Sequence, residues 1–170
     1  MKLENFIRSI PDFPKKGILF RDITTLLNNP KAFKLAIEEM AHLFKDKKAE
    51  VIVAAESRGF IFGGALAYRL KSAFVPVRKP GKLPYKTYKV SYDLEYGKDS
   101  LEIHQDAFKK GARVLILDDL LATGGTAKAI VRLVKKLGGR IIGILFLIEL
   151  TQLKGRNKLK GLPVYSLIKY

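Results

Sequence analysis

The sequence contains no cysteine, which excludes disulfides, thiolate metal sites and cysteine nucleophiles. No apolar run approaches the roughly 20 residues of a membrane-spanning helix. The first residues, MKLENFIRSIPDF, are amphipathic and too polar for a signal peptide. Walker A and Gly-x-Gly-x-x-Gly patterns are also missing, which argues against an ATPase and a Rossmann dehydrogenase. We therefore expect a cytoplasmic protein with no membrane partner.

Acidic residues are scarce. The 170 residues include 16 Asp and Glu against 32 Lys and Arg, which gives a formal net charge of +16. One interpretation is a Lys-rich surface that favours solubility. The other is a polyanionic partner, either nucleic acid or a phosphorylated small molecule. Total charge does not separate these interpretations, whereas the distribution of the charge can help.

The length suits a single domain that buries about 70% of its unfolded surface, and we find no internal repeat or linker. A short helix is predicted at 2–8. Amphipathic helices are predicted at about 30–47, 58–71 and 126–139, and apolar strands at 49–57, 72–79, 112–120, 140–150 and 162–170. This alternation predicts an α/β fold with a mainly parallel sheet flanked by helices. Functional groups are then expected beyond the carboxyl ends of the strands.

One such strand end is followed by a turn suited to an anion, within LILDDLLATGGTAKA at 115–129. Gly124 and Gly125 let backbone amides approach a ligand closely. Thr123 and Thr126 add hydroxyls, and the next helix adds its free N–H groups. Glycine and threonine alone are equally compatible with an ordinary strand-to-helix turn that carries a threonine cap.

The preceding acidic pair, Asp118 and Asp119, favours the functional interpretation. Two carboxylates beside a phosphate cradle would repel the phosphate unless they bind something else. Vicinal ribose hydroxyls are hydrogen-bond donors that fit two carboxylate acceptors. Strand, acidic pair and turn together indicate a ribose 5-phosphate site.

This stretch resembles the phosphoribosyl diphosphate (PRPP) signature of the type I phosphoribosyltransferase family. Further motifs extend the resemblance over nearly the whole chain and are similar to the adenine phosphoribosyltransferases within that family. They are DFPKKGILFRDIT near the N-terminus, ESRGFIFG at 56–63, RKPGKLP at 78–84, YDLEYGKDSLEIHQDA at 92–107, DDLLATGGTA at 118–127 and ELTQLKGR at 149–156.

The resemblance implies a purine-salvage glycosyltransferase. Such an enzyme transfers phosphoribosyl from PRPP to adenine with Mg²⁺, through an oxocarbenium-like displacement that gives AMP and pyrophosphate. It also implies one domain over 1–170, with a base-binding hood at 1–27 and a mobile lid at about 79–96, and commonly a homodimer.

Site residues follow from the matching motifs. The resemblance implies that the 5′-phosphate is bound by Ala122, Thr123, Gly124, Gly125 and Thr126, and that the ribose is bound by Asp118 and Asp119. The implied diphosphate-binding residues are Glu56, Ser57, Arg58, Arg78, Lys79 and Lys82. The implied adenine-binding residues are Leu19, Phe20, Arg21 and Leu150. The family's diphosphate loop implies a cis peptide at Glu56–Ser57. Glu95 matches a candidate acid/base residue, which either transfers a proton or only hydrogen-bonds the base. Mg²⁺ would be held mainly by PRPP and water, with no dedicated protein site.

The segment from Arg69 to Tyr92 carries seven cations and no acid, with tyrosines interleaved. This pattern also occurs in proteins that bind single-stranded nucleic acid. Gly81 and Pro84 favour a mobile loop, as the resemblance implies.

Two other functions remain compatible with a PRPP site. One is a PRPP- or purine-sensing regulator that binds nucleic acid, which the excess charge favours slightly. No helix-turn-helix pattern supports it, and a regulator has no need of the hood or Glu95, so nucleic acid is an unlikely partner. The other is a phosphoribosyltransferase for another base, such as xanthine or orotate, against which the hood motifs argue.

Overall fold

A computed structural model describes residues 1–93 and 97–170. Its strands are β1 (Arg8–Ile10), β2 (Phe20–Asp22), β3 (Val51–Ala55), β4 (Ala73–Val77), β5 (Thr87–Asp93), β6 (Lys98–His104), β7 (Arg113–Leu121), β8 (Arg140–Glu149) and β9 (Val164–Lys169). Its α-helices are α1 (Thr24–Leu27), α2 (Pro30–Phe44), α3 (Arg58–Leu70) and α4 (Gly125–Lys136). Short 3₁₀ turns lie at Leu3–Phe6, Thr151–Leu153 and Gly155–Leu159.

Five strands form the central sheet in the order β4-β3-β7-β8-β9, and every neighbouring pair is parallel. Strand β3 is buried along its whole length, as is most of β7 and β8. Two apolar clusters cover the two faces of the sheet, one built with α4 and the other with α2 and α3. The predicted α/β fold is therefore confirmed.

The boundaries of α2 show how local sequence sets the elements. The Asn29 side chain accepts hydrogen bonds from the amides of Lys31 and Ala32 at 3.1 and 3.0 Å, and Pro30 occupies the first helical position. Both features are typical of helix starts. The helix ends at Phe44, three residues before the predicted end.

Two small antiparallel sheets were not predicted. Residues 2–8, expected as a helix, form only a 3₁₀ turn before β1, which pairs with β2. The Arg8–Asp22 ion pair at 2.7 Å supports this pairing. Residues 87–93, expected as loop, form β5, which pairs with β6 along seven residues. In both places the pairing with a partner strand overrides the local signal.

Within residues 1–93 and 97–170, no helix combines the length and apolarity needed to cross a membrane.

Candidate active site

The carboxyl ends of β3, β4 and β7 lie at the same edge of the parallel sheet, where a cleft of about 340 Å³ opens. It is lined by Ala55, Glu56, Ser57, Arg58, Lys79, Tyr92, Asp99, Leu101, Asp118, Asp119 and Thr126. Seven of these are predicted site residues, which the fold brings together from three strand ends. The other predicted residues that the structure describes do not line the cleft; they are Ala122, Thr123, Gly124, Gly125, Arg78, Lys82, Leu150 and the hood residues Leu19, Phe20 and Arg21.

The acidic pair at the end of β7 is held in a fixed geometry. Arg58 Nε lies 2.7 Å from Asp119 Oδ2, and the Asp119 amide donates to Asp118 Oδ1 at 2.9 Å. Gly59 permits this arrangement, because a Cβ there would lie 2.9 Å from Asp118 Oδ1. The first turn of α3 therefore packs directly on the pair.

Burial shifts the ionisation of both aspartates. Loss of solvation, followed by the adjacent Asp119 charge, raises the pKa of Asp118 well above its usual value. Burial also raises the pKa of Asp119, although the nearby Arg58 guanidinium opposes that shift. The pair therefore binds protons more readily than exposed aspartates do.

The segment after β3 is joined to the segment after β4 through Glu56. Its carboxylate accepts a hydrogen bond from the Lys79 amide at 2.5 Å and one from Arg78 Nη2 at 3.4 Å. Burial alone would raise the pKa of Glu56, but these two donors lower it overall. The peptide between Glu56 and Ser57 is cis, as the resemblance implied.

The β5–β6 pair supplies three cleft residues that sequence reasoning did not assign to the site, namely Tyr92, Asp99 and Leu101. Asp99 forms an ion pair with Lys79 and accepts a hydrogen bond from the Tyr92 hydroxyl at 3.1 Å. The same hydroxyl lies 3.4 Å from Thr126 Oγ1. Asp99 carries no local signal, because it reaches the cleft only through the pairing of β5 with β6.

The turn between β7 and α4 has the geometry of an anion cradle. Gly124 caps α4 in the left-handed region, with φ +79°, where glycine carries no steric penalty. The first-turn amides of a helix have no intrahelical acceptors and carry a partial positive charge. They begin at Gly125, beside Thr126 in the cleft.

The segment 150–156 packs directly against this turn. The Leu150 amide donates to the Leu121 carbonyl at 2.9 Å. A Cβ on Gly124 would lie 2.5 Å from the Gly155 carbonyl oxygen, and one on Gly155 would lie 2.3 Å from the Ala122 carbonyl oxygen. Two backbones therefore meet with no room for a side chain, and Gly155 is a position that sequence reasoning did not single out.

An ion pair between the buried Glu149 and the partly exposed Arg156 fixes the start of that segment. Glu149, at the end of β8, accepts from Arg156 Nε and Nη2 at 2.6 and 2.7 Å and from the Ser166 hydroxyl at 2.6 Å. Hydrogen bonds from Arg156 are the main cause that lowers the pKa of Glu149.

The predicted hood residues lie between the cleft and the C-terminal strand. The Phe20 ring has the Arg58 guanidinium 5.5 Å from its centroid and the Phe13 ring 5.0 Å away. Arg21 stacks 3.6 Å over Tyr170, whose carbonyl accepts a hydrogen bond from the Thr151 amide at 2.8 Å. Leu19 is 48% exposed.

Glu95 lies outside the described residues. Within residues 1–93 and 97–170, no three His, Asp or Glu side chains form a group able to hold a metal ion.

Comparison with known proteins assigns the class. The model of the phosphoribosyl transferase domain matches residues 22–164. The adenine phosphoribosyltransferase of Thermotoga sp. (strain RQ2) is 59% identical over 170 residues, which is 100% of both chains. The chain therefore belongs to the phosphoribosyltransferase family, and within it to the adenine phosphoribosyltransferases.

Solved structures agree with this assignment. The adenine phosphoribosyltransferase of Thermoanaerobacter pseudethanolicus is 57% identical, with a TM-score of 0.96 over 99% of this chain and 98% of that one. The Saccharomyces cerevisiae enzyme, solved with adenine and an imino-altritol bisphosphate, is 43% identical, with a TM-score of 0.92 over 97% and 96% of the two chains.

Proposed function

We propose that this chain transfers the phosphoribosyl group of PRPP to adenine, giving AMP and pyrophosphate in purine salvage. Full-length similarity to adenine phosphoribosyltransferases carries the proposal. The cleft supports it, because an anion-binding turn, an acidic pair and a cationic segment lie side by side. The reaction would take place in the cytoplasm.

The turn and the acidic pair would hold the ribose 5-phosphate. The backbone amides and hydroxyls of residues 122–126 would bind the 5′-phosphate, which the start of α4 favours electrostatically. Asp118 and Asp119 would accept hydrogen bonds from the ribose hydroxyls. Arg58 already orients Asp119, so the acceptors are fixed before the substrate arrives.

The diphosphate would lie over Glu56, Ser57 and Arg58. Arg78, Lys79 and Lys82 would add positive charge from the neighbouring strand end. As the bond between the anomeric carbon of the ribose and the diphosphate breaks, negative charge accumulates on the leaving oxygen. Cations placed in advance stabilise that charge without rearranging during the reaction.

Adenine would lie under the hood. Phe20 and Leu150 would sandwich the flat base, and backbone groups of Leu19 and Arg21 would bind its Watson–Crick edge. Adenine presents an amino donor where hypoxanthine and guanine present a carbonyl acceptor. A site built for the donor leaves a buried group unpaired with the other bases, which is a strong basis for discrimination.

Mg²⁺ fits this site as an ion carried by the substrate. Asp119 is engaged with Arg58, and Mg²⁺ typically binds substrate phosphates and water with one or two carboxylates. When bound, it would neutralise diphosphate charge.

Residues 79–96 would act as a lid over the diphosphate and exclude water from the reaction. Its described part contains β5 and is tied to β6, so the hairpin and the preceding loop would move together. Glu95 would stand near the imidazole ring of adenine, as proton donor and acceptor or as a hydrogen-bonding partner.

A homodimer would form through the outer face of α3 and edge strand β4. Ile61, Tyr68 and Phe74 are exposed there by 41%, 89% and 37%, so this face offers apolar side chains to a partner. Strand β4 leads directly to Arg78 and Lys79, so a second copy on this face would border the diphosphate residues. Light scattering should give a dimer for the wild type and a monomer for Tyr68→Glu.

The test is AMP formation from adenine and PRPP with Mg²⁺, with hypoxanthine, guanine and xanthine in parallel. We expect turnover with adenine alone and none with EDTA. Turnover with another base would remain consistent with the proposed PRPP site but would contradict the adenine-binding role proposed for Leu19–Arg21. PRPP binding without any base reaction would contradict the proposed activity.

A further inference from the structure

The cations of this chain are unevenly distributed between the two ends of the sheet. The amino ends of its parallel strands lie at the edge of the sheet opposite the cleft. The segments that lead into these strands are 45–50, 71–72, 109–113, 135–140 and 160–163. We call these five segments the basic edge. They hold eleven of the cations, Lys45, Lys47, Lys48, Lys71, Lys109, Lys110, Arg113, Lys135, Lys136, Arg140 and Lys160, against only Asp46 and Glu50.

Backbone contacts join three segments of the basic edge, 45–50, 109–113 and 135–140, into one continuous surface. The Glu50 amide donates to the Arg113 carbonyl at 2.9 Å, the Gly111 amide to the Gly138 carbonyl at 2.8 Å, and the Arg140 amide to the Ala112 carbonyl at 2.8 Å. Lys47, Arg113 and Arg140 also line one shallow cavity of about 330 Å³ with residues of β8.

Most of these charges are uncompensated. Among the described residues, Arg113 with Glu50 at 3.7 Å is the one ion pair of the basic edge, and Lys47 bonds to the Tyr165 hydroxyl. Lys109, Lys110 and Arg140 are exposed. At the catalytic end, in contrast, Arg58, Arg78 and Lys79 are paired with Asp119, Glu56 and Asp99.

We propose that the basic edge binds the phosphodiester backbone of nucleic acid, separately from the catalytic cleft. A five-stranded sheet spans about 19 Å between its outer strands, and over about 19 Å a duplex presents roughly 11 phosphates. The described basic edge has no exposed large apolar side chain. It therefore lacks the wedge that an amphipathic membrane binder inserts and the apolar anchor of a specific protein interface.

The test is binding of a fluorescein-labelled 24-base-pair DNA duplex, followed by fluorescence anisotropy at several salt concentrations. The variant Lys109→Gln/Lys110→Gln removes two charges from the basic edge. Lys31→Gln/Lys34→Gln removes two charges that are also exposed, from α2, and serves as the matched control. Formation of AMP should be unchanged in both, since neither pair lies near the cleft.

Each phosphate contact contributes about 0.9 to the slope of log K against log salt concentration. The edge variant should therefore lose about 1.8 from the slope and bind about 60-fold more weakly at 0.1 M salt. The control should bind like the wild type. An equal loss of affinity for the duplex in both variants would show that binding depends only on the net charge of the protein, and would overturn the proposal. Unchanged binding in the edge variant would overturn it as well. Equal competition by polyglutamate, or binding to anionic lipid vesicles but not to the duplex, would also overturn it.

Discussion

The contact between Gly155 and the turn before α4 predicts a displacement whose size can be calculated. A Cβ in Gly155→Ala would lie 2.3 Å from the Ala122 carbonyl oxygen, where ordinary contact begins at 3.4 Å. The two backbones must therefore separate by about 1 Å. No side-chain rotation can relieve this clash, because the obstructing atom is a backbone oxygen. Gly155 is also not among the glycines with positive φ, so the effect is purely steric.

This separation would displace the turn that we propose to hold the 5′-phosphate. A misplacement of about 1 Å can reduce a rate by about 100-fold. We expect kcat/KM for PRPP to fall by about that factor, mostly through KM, with a smaller change in KM for adenine. Overpacking should also cost about 1–3 kcal/mol of stability, which lowers Tm by about 2–4 °C per kcal/mol in a chain of this size.

Steady-state kinetics with PRPP and adenine varied separately, well below Tm, would measure this split. Gly143→Ala is the matched control, because its Cβ would meet the Phe44 ring at 2.5 Å in the core and away from the cleft. It should lower Tm without raising KM for PRPP. A folded Gly155→Ala variant that keeps the wild-type KM for PRPP would contradict the displacement of the turn, and so would an equal rise in Gly143→Ala.

Three further predictions concern the acidic pair, the hood and the Glu149–Arg156 ion pair. Because the pKa of Asp118 is raised in the folded state, its negative charge destabilises the fold, and this destabilisation grows as the pH rises. Asp118→Asn should therefore have a higher Tm than the wild type at pH 8, and the difference in Tm should shrink on acidification. The same variant should raise KM for PRPP at pH 8, and the wild type should approach it as the pH falls and Asp118 is protonated; parallel profiles would contradict this. Phe20→Ala should raise KM for adenine by about 5- to 150-fold, which corresponds to the roughly 1–3 kcal/mol of a stacked base, while KM for PRPP changes little; equal changes would argue against a base-binding role. Glu149→Gln should cost about 2 kcal/mol, measured by urea unfolding. Since the folded pKa of Glu149 is lowered, that difference should be present at neutral pH and vanish as the pH falls through the folded pKa; a difference that persists in acid would refute an electrostatic origin.

Much of the central fold was predictable because its signals are local. Apolar strands alternate with amphipathic helices, and this pattern requires a parallel sheet covered on both faces. Asn29 and Pro30 marked the start of α2. The β1–β2 and β5–β6 pairs were missed, since each strand depends on a partner that the local pattern does not specify.

The candidate site divides in the same way. Asp118, Asp119 and the turn after them form one short motif, and their location at a strand end follows from the parallel sheet. Asp99 enters the cleft only because β6 pairs with β5 and directs its carboxylate at Lys79. The sequence by itself determined the sheet, the residues at its strand ends and the total charge, because hydrophobic period, turn chemistry and composition belong to the chain. Tertiary structure alone decided that Gly155 meets the turn before α4, and that eleven cations from five separate segments form one edge, because both depend on contacts between segments distant in sequence.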